Sequence, residues 1–166
     1  MRRLLIPLLL ATILLPGVTC ENGSGSSGTA VVWFNPPSFS IAPLSAFELE
    51  VWVTTSDTAQ AYEFSLQYDP SHVLMYNIAP HSDFDDDGQF FIDPQIDLLA
   101  GTLSGVVDLR HGSAAGATGT FRIATLSGWS YADGETTITL SGGGIAAEDG
   151  TALTITTSNS VITVTP

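Results

Sequence analysis

The densest group of chemically able side chains is Asp83-Phe84-Asp85-Asp86-Asp87-Gly88. Carboxylates at Asp83, Asp85 and Asp87 alternate along the chain and a glycine follows, which is the pattern of the first half of a calcium loop. Calcium takes roughly six to eight oxygen ligands. The position that would close an EF-hand with a bidentate acid is Pro94, and Asp93 falls one residue short of it. Backbone carbonyls such as that of Gln89, or water, would have to complete the shell. The same residues also read as an acidic, solvated turn between two strands. Calcium is therefore the one cofactor that the spacing allows, and the sequence demands none.

His72, His81 and His111 fall in neither an H-x-x-x-H nor an H-E-x-x-H pattern, so zinc has no spacing in its favour. His72 reads as a surface group after a turn, and His81 as a solvated neighbour of the acidic loop. Serines are abundant, but no G-x-S-x-G elbow is present and no acid–base pair is visibly arranged. The expectation is a chain that is not an enzyme. Trp33 and Trp129 are expected in the core. Trp52 shares parity with Glu48 and Glu50 and is expected to point outward. There it would stack on a sugar ring, anchor a protein interface, or lie under a loop.

The elements that must position these side chains are strands. Phe47, Leu49, Val51 and Val53 alternate with polar or outward positions, as do Tyr62, Phe64, Leu66 and Tyr68. Period-two alternation of this kind gives a strand one core face and one wet face. The same rule sends Leu103, Gly105, Val107 and Leu109 inward and Ser104, Val106 and Asp108 outward. Asn35-Pro36-Pro37, Asp69-Pro70, Asp87-Gly88, Asp133-Gly134, Gly142-Gly143-Gly144 and Asp149-Gly150 mark turns. The predicted strands lie at 30–34, 46–54, 61–68, 73–78, 89–93, 101–109, 119–129, 136–140 and 160–165, with a short tenth near 153–156. Many short strands and no sustained helical spacing predict an all-β sandwich.

Ahead of the strands, Arg2 and Arg3 precede an apolar run from Leu4 to Leu15. A spanning helix needs roughly 20 such residues; this run fits the apolar part of an export signal. Cys20 is the only cysteine, and Glu21 to Gly28 form a Gly/Ser-rich tether. Signal, lone cysteine and tether resemble a bacterial lipoprotein leader, although Gly17 and Thr19 depart from its usual pattern. The expected organisation is a signal over 1–20, a tether over 21–28 and one domain over 29–166, with Cys20 as the lipidation site or, alternatively, ordinary cleavage near Thr19 or Cys20. A domain of this length buries roughly two thirds of its unfolded surface.

The charge is one-sided. The formal net charge is −13, lysine is absent, and the cations after the leader are Arg110 and Arg122. Such a surface repels phosphate backbones and anionic headgroups, which excludes nucleic acid and leaves the N-terminal anchor as the only membrane contact. The chain is expected to be exported, at the envelope or secreted, and monomeric.

The segment from Ala61 to Leu74, an aromatic-rich alternating strand ending in Tyr68-Asp69-Pro70, is similar to the third strand and following turn of cohesin domains. Phe90 to Asp97 followed by Ala100-Gly101-Thr102-Leu103 resembles their middle, Gly116 to Leu126 their Gly-rich turn and seventh strand, and Asp149 to Val164 their closing hairpin. The resemblance runs from about Thr29 to the end. It implies a jelly-roll β-sandwich of about nine strands, a fold that cohesins share with certain carbohydrate-binding modules. It also implies binding of a dockerin-like protein partner, with a polysaccharide as the alternative ligand. In cohesins the partner sits mainly on the sheet of the third, fifth, sixth and eighth strands. Transferred to this chain, that face would present Glu63, Ser65, Gln67, Ser104, Asp108, Thr137 and Thr139, a polar and mildly acidic surface suited to a cationic protein partner.

Overall fold

The computed structural model describes residues 28–84, 91–110 and 116–166. The leader with Cys20, nearly all of the tether, Asp85, Asp87 and His111 lie outside the described residues.

Ten strands and no helix make up the described residues: β1 (Thr29–Asn35), β2 (Ser38–Ile41), β3 (Ala46–Gln67), β4 (Val73–Pro80), β5 (Gln95–Asp97), β6 (Thr102–Leu109), β7 (Ala117–Ser130), β8 (Gly134–Ala147), β9 (Thr154–Thr157) and β10 (Ser160–Val164). The prediction of two strands at 46–54 and 61–68 is met by a single strand, β3, that serves both layers of a jelly-roll sandwich. Its first half pairs antiparallel with β1 and β7, and its second half with β6 and β8. The first layer runs β9-β1-β3-β7-β4, and the second runs β5-β6-β3-β8-β10-β2. The short predicted tenth strand is β9, paired parallel with β1. Of the strand expected at 89–93, residues 89 and 90 lie outside the described residues; Ile92 makes an isolated bridge to Val107, and β5 occupies Gln95–Asp97.

Alternation along β3 is strict but changes phase. Phe47, Leu49, Val51, Val53 and Thr55 are buried in the first half, and Tyr62, Phe64 and Leu66 in the second. The phase change falls between Thr55 and Ala61, where the pairings with β7 and β8 both shift register. Thr55 fixes the crossing. Its hydroxyl donates to the Thr29 carbonyl at 3.0 Å and accepts from the Asp57 amide at 3.1 Å. The layers meet through aromatic contacts. Phe39 of β2 lies 5.7 Å from Phe47, and Phe84 sits between Tyr62 at 4.9 Å and Phe121 at 5.9 Å. Each large apolar side chain so enclosed contributes about 1.5–3 kcal/mol of transfer free energy.

A second phase change corrects the sequence reading of β6. Phe64 faces Val106 while Leu66 faces Leu103, so Ser65 alone spans Ser104 and Gly105. This is a β-bulge. Gly105 adopts φ 74°, a left-handed conformation that a glycine enters without steric cost. The extra residue inverts the parity of everything after it. Val106 and Asp108 turn inward and are fully buried, whereas Val107 is half-buried and Leu109 is 42% exposed. Asp108, expected on the solvent face, is therefore a core residue. Its Oδ2 lies 3.3 Å from the Tyr62 hydroxyl, and its Oδ1 accepts the Leu109 amide at 2.8 Å.

A Cβ at position 105 would meet no atom within 4 Å, so Gly105→Ala carries only the backbone cost of the left-handed conformation. It is expected to lower stability by about 1 kcal/mol, read as a shift in the denaturant midpoint at unchanged slope.

Candidate functional site

Two outer faces are available for recognition, one per layer. On the second layer, Glu63 and Gln67 of β3, Ser104 of β6 and Thr137 of β8 are exposed, and Ser65 and Thr139 are partly so. Six of the seven residues assigned to this face are thus on it; Asp108 is the exception. The Thr139 hydroxyl donates to the Gln67 carbonyl at 3.3 Å and ties β8 to β3. The bulge replaces Asp108 with something the sequence reading did not foresee. Val107 pairs with Glu63, and Leu109 with Ala61, which in turn pairs with Ala146. Together with Ala152 they line an apolar hollow of about 300 Å³. Ile92, 55% exposed, bridges to Val107 at its side. Gly142 and Gly144, opposite Ser65 and Glu63, carry no side chain to interrupt the surface. The face is therefore divided into an apolar end at Leu109, a carboxylate at Glu63, and a hydroxyl- and amide-bearing end at Gln67 and Thr139.

On the first layer, the tryptophans depart from expectation. Trp33 and Trp52 are cross-strand neighbours on the outer face, both half-buried, with ring centroids 5.5 Å apart and planes at 17°. Because β3 lies between β1 and β7, the other side of the Trp52 ring meets Arg122, whose guanidinium carbon is 5.9 Å from the ring centroid. Glu50 closes the group. It accepts from Asn35 Nδ2 at 2.7 Å and from Trp52 Nε1 at 2.9 Å, and it pairs with Arg122. The Trp33 indole N–H donates to Thr54 Oγ1 at 3.2 Å. Trp52 does point outward, as its parity required, but its ring faces are occupied by neighbours and are not offered to a ligand. Trp129, expected in the core, is 41% exposed on the same outer face.

Arg122 also contacts His81 Nε2, and His81 Nδ1 lies 3.3 Å from Asp83 Oδ1. His81, read as solvated, is half-buried in this chain of polar contacts. Asp83 accepts the Arg122 amide through Oδ2 at 3.4 Å. Among the described residues, no group of three or more His, Cys, Asp or Glu side chains is placed to hold a metal ion. His72, expected at the surface, packs its ring against Gly134, where a Cβ would come within 2.1 Å of it.

No family model matches the sequence, and no curated protein matches it either. Solved structures do match the fold. One is the type I cohesin–dockerin complex of OlpA from Clostridium thermocellum, 11% identical, with a TM-score of 0.71 over 82% of this chain and 99% of that one. Another is the sixth cohesin of scaffoldin B from Acetivibrio cellulolyticus in complex with a Cel5 dockerin, 14% identical, with a TM-score of 0.69 over 84% and 100%. A third is a non-cellulosomal cohesin from the archaeon Archaeoglobus fulgidus, 15% identical, with a TM-score of 0.63 over 85% and 93%. The architecture is a jelly-roll β-sandwich. More narrowly, it is the cohesin fold, and the resemblance carried by the ordered strands and turns of the sequence is borne out at that level.

Burial alone would raise the Glu50 carboxyl. The hydrogen bonds from Asn35 and Trp52 and the charge of Arg122 outweigh it and hold the group below its ordinary value of 4.5. A depressed carboxylate stabilises the fold above its unfolded pKa and loses that contribution as pH falls through the folded one. Glu50→Gln is expected to cost about 1 kcal/mol at neutral pH. Its deficit against the parent should shrink as pH falls below the ordinary carboxyl value of 4.5 and through the lower folded one, as measured by thermal melts across the acid range.

Proposed function

We propose that this domain is a non-catalytic, protein-binding module of cohesin type, displayed outside the cell by a lipid anchor on Cys20, and that a dockerin-like partner docks on the outer face of the second layer. The observation that carries this reading is the composition of that face. An apolar hollow beside Leu109 and a carboxylate at Glu63 lie next to one another on the outer strand face. An apolar anchor surrounded by polar groups is the usual anatomy of a protein-recognition patch. The solved cohesins in complex with dockerins support the same assignment at the level of fold. The partner this face fits has an aliphatic side chain to seat against Val107 and Leu109, with Lys or Arg placed to meet Glu63.

Glu63→Arg should weaken binding of the partner at least tenfold by like-charge repulsion, while Trp52→Ala, on the other layer, should leave it unchanged. Calorimetry with the purified partner reads both. Loss of binding in Trp52→Ala with full binding in Glu63→Arg would put the interface on the first layer and overturn the proposal. Mass spectrometry of the exported protein is expected to find Cys20 acylated and N-terminal; an unmodified mature chain beginning at Glu21 or later removes the anchor from the proposal.

A further inference from the structure

The outer face of the first layer is not uniform. At one end, Trp33 stacks on Trp52, Arg122 lies over the Trp52 ring, and Glu50 accepts from Asn35, Trp52 and Arg122, while the buried Arg122 Nε finds no partner. The opposite end differs in every respect. Trp129 of β7 is 41% exposed, and Tyr76 of β4 is 53% exposed. Between β4 and β7 the register shifts from Met75 opposite Gly128 to Asn77 opposite Ser127. The resulting bulge leaves Tyr76 and Asn77 both exposed, between the buried Met75 and Ile78. Glu48 pairs with Ser127, and Ser127 with Asn77, so a carboxylate, a hydroxyl and an amide form one row across three strands. Trp129, two residues along β7 from Ser127, stands on the same face with only Ala46 and Leu74 opposite it. Unlike Glu50, the side chains of Glu48, Asn77 and Ser127 make no hydrogen bond among the described residues.

We propose that this end of the first layer is a second binding site, a platform on which Trp129 and Tyr76 stack against the sugar rings of a neutral polysaccharide while Glu48, Asn77 and Ser127 hydrogen-bond its hydroxyls. Exposed aromatic rings beside unpartnered acceptors and donors on the outer face of a sheet match the two-sided chemistry of a pyranose, with its C–H face and its equatorial hydroxyl rim. Charge selects within that class. Glu48 and a chain of net charge −13 repel uronates and sulfated glycans. Arg122, the cation on this face, meets Glu50 through Nη1 and His81 through Nη2, and its remaining Nε is buried out of reach of an anion. The site lies on the layer opposite Glu63, so a protein partner and a polysaccharide would be held at once, and the inference does not depend on the partner's identity.

The test is affinity electrophoresis of the folded protein through gels containing hydroxyethylcellulose, mixed-linkage β-glucan, xylan or mannan, with polygalacturonate as the charged control. At least one neutral polymer is expected to retard the protein. Trp129→Ala and Tyr76→Ala should each weaken that retardation at least tenfold, Glu63→Arg should leave it unchanged, and polygalacturonate should have no effect. Should Trp129→Ala lose its cooperative melt, Tyr76→Ala alone decides, since that side chain is the more exposed of the two. Migration unaffected by every neutral polymer overturns the proposal. So does retardation that survives in a folded Trp129→Ala/Tyr76→Ala double variant, or retardation by polygalacturonate alone. Loss of a protein partner in Trp129→Ala, with no polymer retarding the parent, would make the patch a protein interface and equally overturn the assignment.

Discussion

The rest of the structure depends on how a single strand serves two sheets. β3 supplies buried side chains to both layers, and its phase shifts once between them, so that odd-numbered residues fill the core before the crossing and even-numbered ones after it. A one-residue slip in either half would turn its buried apolar set out to solvent. That cost fixes the register of every strand paired with β3: β1 and β7 on one side, β6 and β8 on the other. Both outer faces are consequences of this register. Glu48, Glu50 and Trp52 point out because Phe47, Leu49, Val51 and Val53 must point in; Glu63, Ser65 and Gln67 point out because Tyr62, Phe64 and Leu66 must point in.

Within that frame, irregularities select what each face displays. The Gly105 bulge exchanges an aspartate for a leucine on the second layer, and the Met75–Asn77 bulge places Tyr76 and Asn77 together on the first. Bulges re-aim side chains without breaking the sheet. Here they convert two faces that simple alternation would leave mostly polar into one with an apolar hollow and one with exposed aromatic rings. The formal net charge of −13 adds long-range repulsion of anions at both.

Much of the fold could be read from the sequence because burial on one face imposes a period of two that survives in the residue types, as in Phe47 to Val53 and Tyr62 to Tyr68. Turn residues separated the elements for equally local reasons. The bulge in β6 was not legible. Leu103-x-Gly105-x-Val107-x-Leu109 reads as unbroken alternation, and nothing local distinguishes a glycine that fills an inward position from one that adopts φ 74° and shifts the phase. Simple alternation therefore sends Asp108 to solvent, whereas its burial beside a tyrosine follows from the pairing of β6 with β3 at Tyr62. The tryptophans failed differently. Core packing is the default expectation for Trp33 and Trp129, but their strands carry them on the outer face, where Trp33 finds Trp52 as a neighbour 19 positions away and Trp129 finds nothing larger than Ala46 and Leu74 across the strands.

The phase of β6 is the most direct point of attack on this account, because the Asp108 correction and the apolar hollow at Leu109 both follow from it. Cys20 is the only cysteine, so a Cys20→Ser background permits single-cysteine labelling at Asp108→Cys and Leu109→Cys. The measurement is the rate of reaction of each folded variant with a bulky thiol reagent, relative to the same variant in denaturant. Fast labelling is expected at position 109, and protection at position 108 until the domain unfolds. Fast labelling at 108 with protection at 109 would restore simple alternation and contradict the shifted phase of β6.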